Sequence, residues 1–254
     1  MIPLVHIIGA SAGDPELITV KGRRLLETAD VVIYAGSLVN PALLECCRAD
    51  AQIHDSALLT LDEVINIIEL AEAQNLTTVR LHTGDPSLYG AIREQIDELR
   101  RRNIAFDITP GVSSFLAAAA ALNLEYTLPG ISQTVIITRQ SGRTPVPERE
   151  SLRSLAQHQS TMCIFLSIGM IERVVEELIA GGLERDTPIA VVERASWSDE
   201  KIVRGTLETI ADQIRAEQID RTAMIVVGRC LEPKFYQQSN LYSPTFSHMF
   251  RQAK

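Results

Sequence analysis

Glycine, serine and aspartate repeatedly follow the apolar runs of this chain, and residues of these types bind small polar molecules through close-approaching backbone. Four such corners stand out: "GASAGDPELIT" from Gly9, "TGDPSLYG" from Thr83, "TPGVSSFLAAAAAL" from Thr109, and "ERASWSDEKIVRGTL" from Glu193. Ligands of open parallel sheets collect beyond the carboxyl ends of strands, so these corners are the first candidates for a binding site. At Gly84 the missing side chain admits backbone or ligand. Asp85 and Ser87 suit the cap of a helix starting near Leu88, with Pro86 in its first turn. The first corner lacks the dinucleotide spacing, because Ser11 and Asp14 stand where GxGxxG needs glycine. Each corner alone also reads as an ordinary turn, and the five alanines from Ala117 read as close packing. The fourth gathers Glu193, Arg194, Ser196, Asp199, Glu200 and Lys201 around the chain's only tryptophan, Trp197, which a solvated hairpin tip alone does not explain.

The elements needed to position these corners follow from periodicity. Strand patterns at Val5–Gly9, Val31–Ala35, around Ile53, Thr78–His82 and Phe106–Thr109 alternate with helical patterns. The helices are Thr19–Thr28, a short one at Pro41–Cys47, Leu61–Ala73, Leu88–Arg102 and Ser113–Leu122. Thr60 and Glu63 form the capping box of the third. Such alternation predicts an α/β fold with a mainly parallel N-terminal sheet. The Pro-Gly pair of "NLEYTLPGISQ" marks a domain boundary, giving an N-terminal domain over residues 1–124 and a C-terminal domain over 125–254. In the second domain Trp197–Glu200 are too few for a helical crossover, so the flanking strands form a hairpin and the sheet is mixed. The tail from Pro233 carries five aromatic residues without period and reads as irregular.

Composition narrows the function. The 254 residues are 46% hydrophobic and carry a net charge of −8, without the electrostatic footprint of a nucleic-acid or anionic-membrane binder. Arg100, Arg101 and Arg102 close a helix, where cations favour the dipole's negative end. Cys46, Cys47, Cys163 and Cys230 have no metal or disulfide spacing and read as reduced thiols of a cytoplasmic protein. The five histidines show no metal-ligand spacing either, so no protein-held metal is expected. No apolar run approaches the ~20 residues that span a bilayer.

In this order the first glycine turn, "TGDPSLYG", "TPGVSS", "IFLS", "ERASWSDEKIVRGTL" and "RTAMIVVG" resemble the tetrapyrrole methyltransferase family, from about Val5 to Arg251. The most specific pieces are "YAGSLVN", "GDPSLYG", "RASWSDEKIVRGTL" and "SNLYSPTFSHMFR". The likeness is strongest to the branch acting on corrin precursors of cobalamin biosynthesis. It implies two α/β domains, usually a homodimer, with S-adenosylmethionine folded in the cleft between domains and S-adenosylhomocysteine as product. Matching cofactor-lining positions are Ala12, Gly84, Asp85, Leu88, Ser113 and Ser114, then Leu166, Ala195 and Ala223 from later in the chain. The tetrapyrrole substrate bears many carboxylates, which makes Arg139, Arg143 and Arg194 candidate partners. Two departures stand out. The family's first loop commonly reads GxGPG, where this chain has Gly9-Ala10-Ser11-Ala12-Gly13. Relatives acting on uroporphyrinogen III carry an aspartate just after the second strand, where Ala35-Gly36 stand here, which argues against that substrate. Methyl transfer needs alignment rather than a protein nucleophile, and no catalytic residue is assigned, with Tyr89, Glu193 and Asp199 within motif reach. A dehydrogenase is disfavoured by the degenerate first turn, an RNA methyltransferase by the different turn that branch usually carries, and a non-enzymatic tetrapyrrole carrier would need no cofactor pocket.

Overall fold

The computed structural model of the protein describes residues 5–233 and 235–253; residues 1–4, and Lys234 and Lys254 of the aromatic tail, lie outside them. Two compact units divide the chain. The first takes the described residues up to Ala117 together with Arg194–Asp199, and the second takes Ala118–Glu193 and the described residues from Glu200 onward.

The first unit runs β1 (Val5–Gly9), α1 (Val20–Thr28), β2 (Val31–Tyr34), β3 (Gln52–Asp55), α2 (Leu61–Ala73), β4 (Thr78–His82), α3 (Ile92–Arg101) and β5 (Phe106–Thr109). Its strands lie in the order β3-β2-β4-β1-β5, all parallel. Successive strand residues face opposite sides. Val5, Ile7, Val31 and Ile33 therefore meet Ile65, Ile68 and Leu99 of α2 and α3 on one face. Ile8, Val32, Val79 and Leu81 meet Leu26 of α1 on the other. Helices on both faces explain why β1 is buried at every position and reads as an unbroken apolar run. The capping box of α2 forms as the sequence predicts: Glu63 N–H donates to Thr60 Oγ1 at 3.3 Å and Thr60 N–H to Glu63 Oε2 at 2.7 Å.

The chain leaves the first unit within α4 (Ser114–Leu122) and continues through β6 (Val135–Arg139), α5 (Leu152–Ala156), β7 (Thr161–Phe165), α6 (Ile171–Ala180), β8 (Pro188–Glu193), β9 (Lys201–Thr206), α7 (Ile210–Ala216) and β10 (Ala223–Val227). The second sheet has the order β6-β7-β10-β8-β9. Only the β6–β7 pair is parallel, and β8 and β9 make the expected hairpin. Its core joins Met162, Ile164, Ile189, Val191, Ile225 and Val227 to Leu152, Val174, Leu178, Ile210 and Ile214.

Two elements differ from expectation. α3 starts at Ile92, not Leu88, because Tyr89 and Ala91 hold left-handed backbone, φ 56° and 48°, which a right-handed helix cannot contain. α5 was hidden behind the proline-bearing loop; Ser151 caps it by accepting from Ser154 N–H at 3.2 Å, while Leu152 and Ala156 turn into the core.

Candidate functional site

Three corners interlock at the carboxyl end of the first sheet. A Cβ on Gly9 would stand 2.5 Å from the Gly84 carbonyl oxygen and 2.7 Å from Cα and N of Gly111, and one on Gly111 would collide with the same oxygen. The ends of β1, β4 and β5 are thus packed backbone on backbone, which only glycine permits. Gly84 has a different need. It sits at φ +58°, and a Cβ there would lie 3.7 Å from Ser113 Cα and 3.8 Å from Ser114 N, at ordinary contact distance beside the start of α4. Ser11 and Gly84 exchange both backbone hydrogen bonds, N–H to O at 3.1 and 3.0 Å.

Ser11 occupies the middle-glycine place of the first loop at φ 62°. Its hydroxyl accepts from Val112 N–H at 2.9 Å, tying this loop to the Gly111 turn. Asp85 ties the second to the third. One carboxylate oxygen accepts from Gly111 N–H at 2.9 Å, and the other accepts from Ser87 N–H at 2.8 Å and from its hydroxyl. Burial alone would push the Asp85 carboxyl up, but the bonds from the Ser87 hydroxyl, Gly111 N–H and Ser87 N–H outweigh it and hold its pKa below the usual range. Asp85 is first of all a strut, and Leu88 N–H closes the following turn on its carbonyl at 3.2 Å.

The hairpin tip Arg194–Asp199 completes this end of the unit. Ser196 Oγ donates to the Ala12 carbonyl and accepts from Asp14 N–H at 3.1 Å, so Ala12 and Ala195 belong to one cluster. Gly13, at φ +60°, has Trp197 and the Ala195 carbonyl where its Cβ would stand. Trp197 is therefore a packing partner of the first loop. The Arg194 guanidinium lies 4.0 Å from the tryptophan ring centroid and donates to Asp199 Oδ1 at 2.7 Å. Non-glycine left-handed residues gather at these corners: Ser11, Tyr89, Ala91, Arg194 and Ser196, with Leu166 in the second unit. Such conformations cost on the order of 1–3 kcal/mol each and persist where the surroundings enforce them.

Below the Gly84 corner lies a buried polar layer that sequence reasoning missed. Arg80 Nε donates to Gln95 Oε1 at 3.1 Å and its Nη1 to the Ile33 carbonyl at 3.1 Å. Gln95 Nε2 in turn donates to the Ala91 carbonyl at 3.1 Å, fixing the end of the left-handed loop to β4. Burial lowers the Arg80 pKa to about 10. Burial, then the charge of Arg80, lowers that of His82 to about 3. The signal available in the sequence was an arginine and a histidine at alternate positions of an otherwise buried strand.

In the second unit Leu166 follows β7 and is 68% exposed, while Ala223 opens β10, the antiparallel neighbour of β7. Continuing that register sets Leu166 opposite Ala223, and Ala223 pairs with Glu193 on its other side. Seven of the nine expected cofactor positions thus fall in the first unit and two at one sheet end of the second. Of the arginine candidates, Arg139 is held by the Thr144 and Pro145 carbonyls, both at 3.0 Å, and Arg143 is exposed in the same loop. Among the described residues no cluster of three or more His, Cys, Asp or Glu is placed to hold a metal.

Comparison with known proteins identifies the family. Residues 4–211 match the Tetrapyrrole (Corrin/Porphyrin) Methylases family. A cobalt-precorrin-4 C(11)-methyltransferase of Methanocaldococcus jannaschii is 57% identical over 249 residues, covering 98% of this chain and 96% of that protein. The X-ray structure of a cobalt-precorrin-4 methyltransferase of cobalamin biosynthesis gives a TM-score of 0.88 at 46% identity, over 90% of this chain and 96% of that one. A uroporphyrin-III C-methyltransferase of Thermus thermophilus, solved with S-adenosylhomocysteine, gives 0.74 at 26% identity, over 90% and 93% of the two chains.

Proposed function

The chain belongs to the tetrapyrrole (corrin/porphyrin) methylase family, and on that premise we propose that it methylates C-11 of cobalt-precorrin-4 in cobalamin biosynthesis, with S-adenosylmethionine as donor. The observation that carries this reading is the 57% identity, over nearly the whole length of both proteins, with a cobalt-precorrin-4 C(11)-methyltransferase. The cobalt in this reading belongs to the substrate.

The cradle at Gly84 fits the donor. A side chain at 84 would enter the space beside Ser113 and Ser114, at the start of α4, where the positive end of the helix dipole favours an anionic or polar end. We assign Ala12, Gly84, Asp85, Leu88, Ser113, Ser114 and Ala195 of the first unit, and Leu166 and Ala223 of the second, to holding it. When bound, S-adenosylmethionine supplies a methyl group on a sulfonium whose sulfur leaves neutral. The residues named hold and orient, and none serves as nucleophile. Interlocked backbone corners suit that task, because alignment is the main source of acceleration here and a rigid cradle keeps it.

We also infer a homodimer working in the cytoplasm. Phe235, Met249 and Phe250 of the tail are each at least 88% exposed, as expected of surface awaiting a second copy, and free cysteines suit a reducing compartment. The function is tested by titrating S-adenosylhomocysteine calorimetrically and then assaying transfer. Saturable binding and a one-methyl mass gain on cobalt-precorrin-4 are expected. Absence of binding would make the protein a carrier, and methylation of uroporphyrinogen III in its place would move it to another branch.

A further inference from the structure

The turn between Gly84 and α3 carries two of the residues assigned to the donor, Asp85 and Leu88, and it is held at both ends. At its near end the Asp85 carboxylate accepts from Gly111 N–H at 2.9 Å. In between, the chain doubles back on itself. Leu88 N–H donates to the Asp85 carbonyl at 3.2 Å, and a Cβ on Gly90 would collide with the Pro86 carbonyl. At its far end Tyr89 and Ala91 hold φ 56° and 48°, and Ala91, the residue before α3, gives that helix no side-chain cap. Two left-handed non-glycine residues within three positions are unfavourable for the backbone by itself. What holds the far end is the Gln95 amide, whose Nε2 donates to the Ala91 carbonyl at 3.1 Å.

A glutamine bonding back to the carbonyl four residues earlier is not unusual, and Gln74, at the exposed end of α2, does the same to Leu70 at 3.0 Å. Gln95 differs in two respects. It is buried, at 7% exposure, and its Oε1 accepts from Arg80 Nε at 3.1 Å. A guanidinium has donors and no acceptor, so the amide cannot turn over without setting donor against donor, and Nε2 is left facing Ala91. Arg80 is itself fixed, with Nη1 donating to the Ile33 and Leu81 carbonyls at 3.1 and 3.4 Å. It is also a costly residue on β4, the central strand of the first sheet. Burial lowers its pKa to about 10, with no carboxylate among the described residues to offset it, and a buried charge lacking an opposite partner is unfavourable. Packing alone would be served better by an apolar side chain at 80, but an apolar side chain could not orient the amide.

We propose that Gln95, oriented by Arg80, is a positioning residue for the methyl donor: it holds the far end of the 85–91 turn, so that Asp85 and Leu88 are in place before S-adenosylmethionine arrives. The inference rests on the reading above that this corner holds the donor. Gln95 acts through the turn and not on the reacting atoms. Without its hydrogen bond the turn samples other shapes, and apparent affinity for the donor falls by the fraction of time the turn keeps the competent one. Once the donor is bound the turn is in place again, so the loss falls on binding and leaves the chemical step alone.

The test uses Q95E. Beside the guanidinium the introduced carboxylate stays charged. It accepts from Arg80 as the amide does, but it has no hydrogen to give the Ala91 carbonyl. A role confined to satisfying Arg80 is therefore kept, and only the anchor of the turn is lost. We expect a thermal midpoint close to that of wild type and S-adenosylhomocysteine bound about tenfold more weakly by calorimetry, the size of one hydrogen bond. KM for S-adenosylmethionine should rise by a similar factor, with kcat on cobalt-precorrin-4 within about twofold of wild type. Wild-type protein supplies a second measurement that does not depend on how well the variant folds. In its ligand-free form the amides of Ser87 and Leu88 should exchange with solvent at least about tenfold more slowly than those of an unstructured chain, because the turn is already formed. Q95E binding S-adenosylhomocysteine as tightly as wild type would overturn this assignment and leave the methyltransferase reading standing. So would free wild-type protein whose Ser87 and Leu88 amides slow only when S-adenosylhomocysteine is added, since the donor itself would then shape the turn. A wild-type protein that binds no S-adenosylhomocysteine and transfers no methyl would overturn both.

Discussion

Gly9 and Gly111 are glycine because the carbonyl of Gly84 fills their side-chain space, whereas Gly84 is glycine because of its backbone angle. The two causes differ in cost. G9A or G111A forces backbone apart and is expected to lose about 2–3 kcal/mol, while G84A loses about 1 kcal/mol for its left-handed conformation. Thermal midpoints should fall in that order, and G84A should be the mildest. A large side chain at 84 is a different case, because it enters the space beside Ser113 and Ser114 and should weaken S-adenosylhomocysteine binding. At Ser11, S11A keeps the unfavourable angle and strips Val112 N–H of its partner, for an expected loss of about 1–3 kcal/mol. S11G loses the same bond but relieves the angle, so it should be the milder of the two. His82 sets a pH dependence. Its folded pKa is about 3 against 6.5 for a free histidine, so between pH 6.5 and 3 the unfolded chain holds a proton that the folded chain refuses. Stability should therefore fall on acidification through that window by about 1 kcal/mol per unit, a slope that H82Q should lose in denaturant titrations at stepped pH. Glycines at strand ends were legible in the sequence; which of them is pinned by packing and which by φ was not, because that depends on contacts between loops far apart in the chain.

Among the elements, the hairpin tip after β8 changed its meaning most. Its charges read as a solvated turn, and the sequence could not say what the tryptophan was for. The partner, Gly13, lies in the first loop of the chain, so the packing of Trp197 against it is invisible to any local pattern. Because Trp197 is the only tryptophan and packs on the loop carrying Ala12, its fluorescence should shift or quench when S-adenosylhomocysteine is titrated in. An unchanged emission spectrum at saturation would remove the tip from the cofactor's surroundings. α2 shows the opposite case, with ends and capping box both readable, because apolar spacing, Thr60 and Glu63 lie within one stretch and agree. α3 starts one turn later than its sequence suggests. Asp85, Pro86 and Ser87 are good helix-starting residues, yet Asp85 is drawn to Gly111 across the sheet end, and the chain uses them for a separate turn first.

For the molecule as a whole, alternating strand and helix patterns were enough to predict the parallel first sheet, and the short polar tip was enough to predict the hairpin that makes the second mixed. The division between units was less legible. The sequence suggests a cut after residue 124, at the start of the stretch that carries Pro129-Gly130, whereas the first unit ends at Ala117 and includes Arg194–Asp199; a tip that belongs to another unit leaves no mark in composition. The dimer proposed here predicts a solution mass of twice the 28.0 kDa chain by light scattering, and a monomer at micromolar concentration would refute it. The central claim, that this cradle directs one methyl group to one ring carbon, is tested most directly with S-adenosylmethionine carrying a 13C-labelled methyl group. Incubated with cobalt-precorrin-4, the protein should yield a product bearing a single labelled methyl at C-11. Label at another ring carbon, or none in a protein that binds S-adenosylhomocysteine normally, would contradict it.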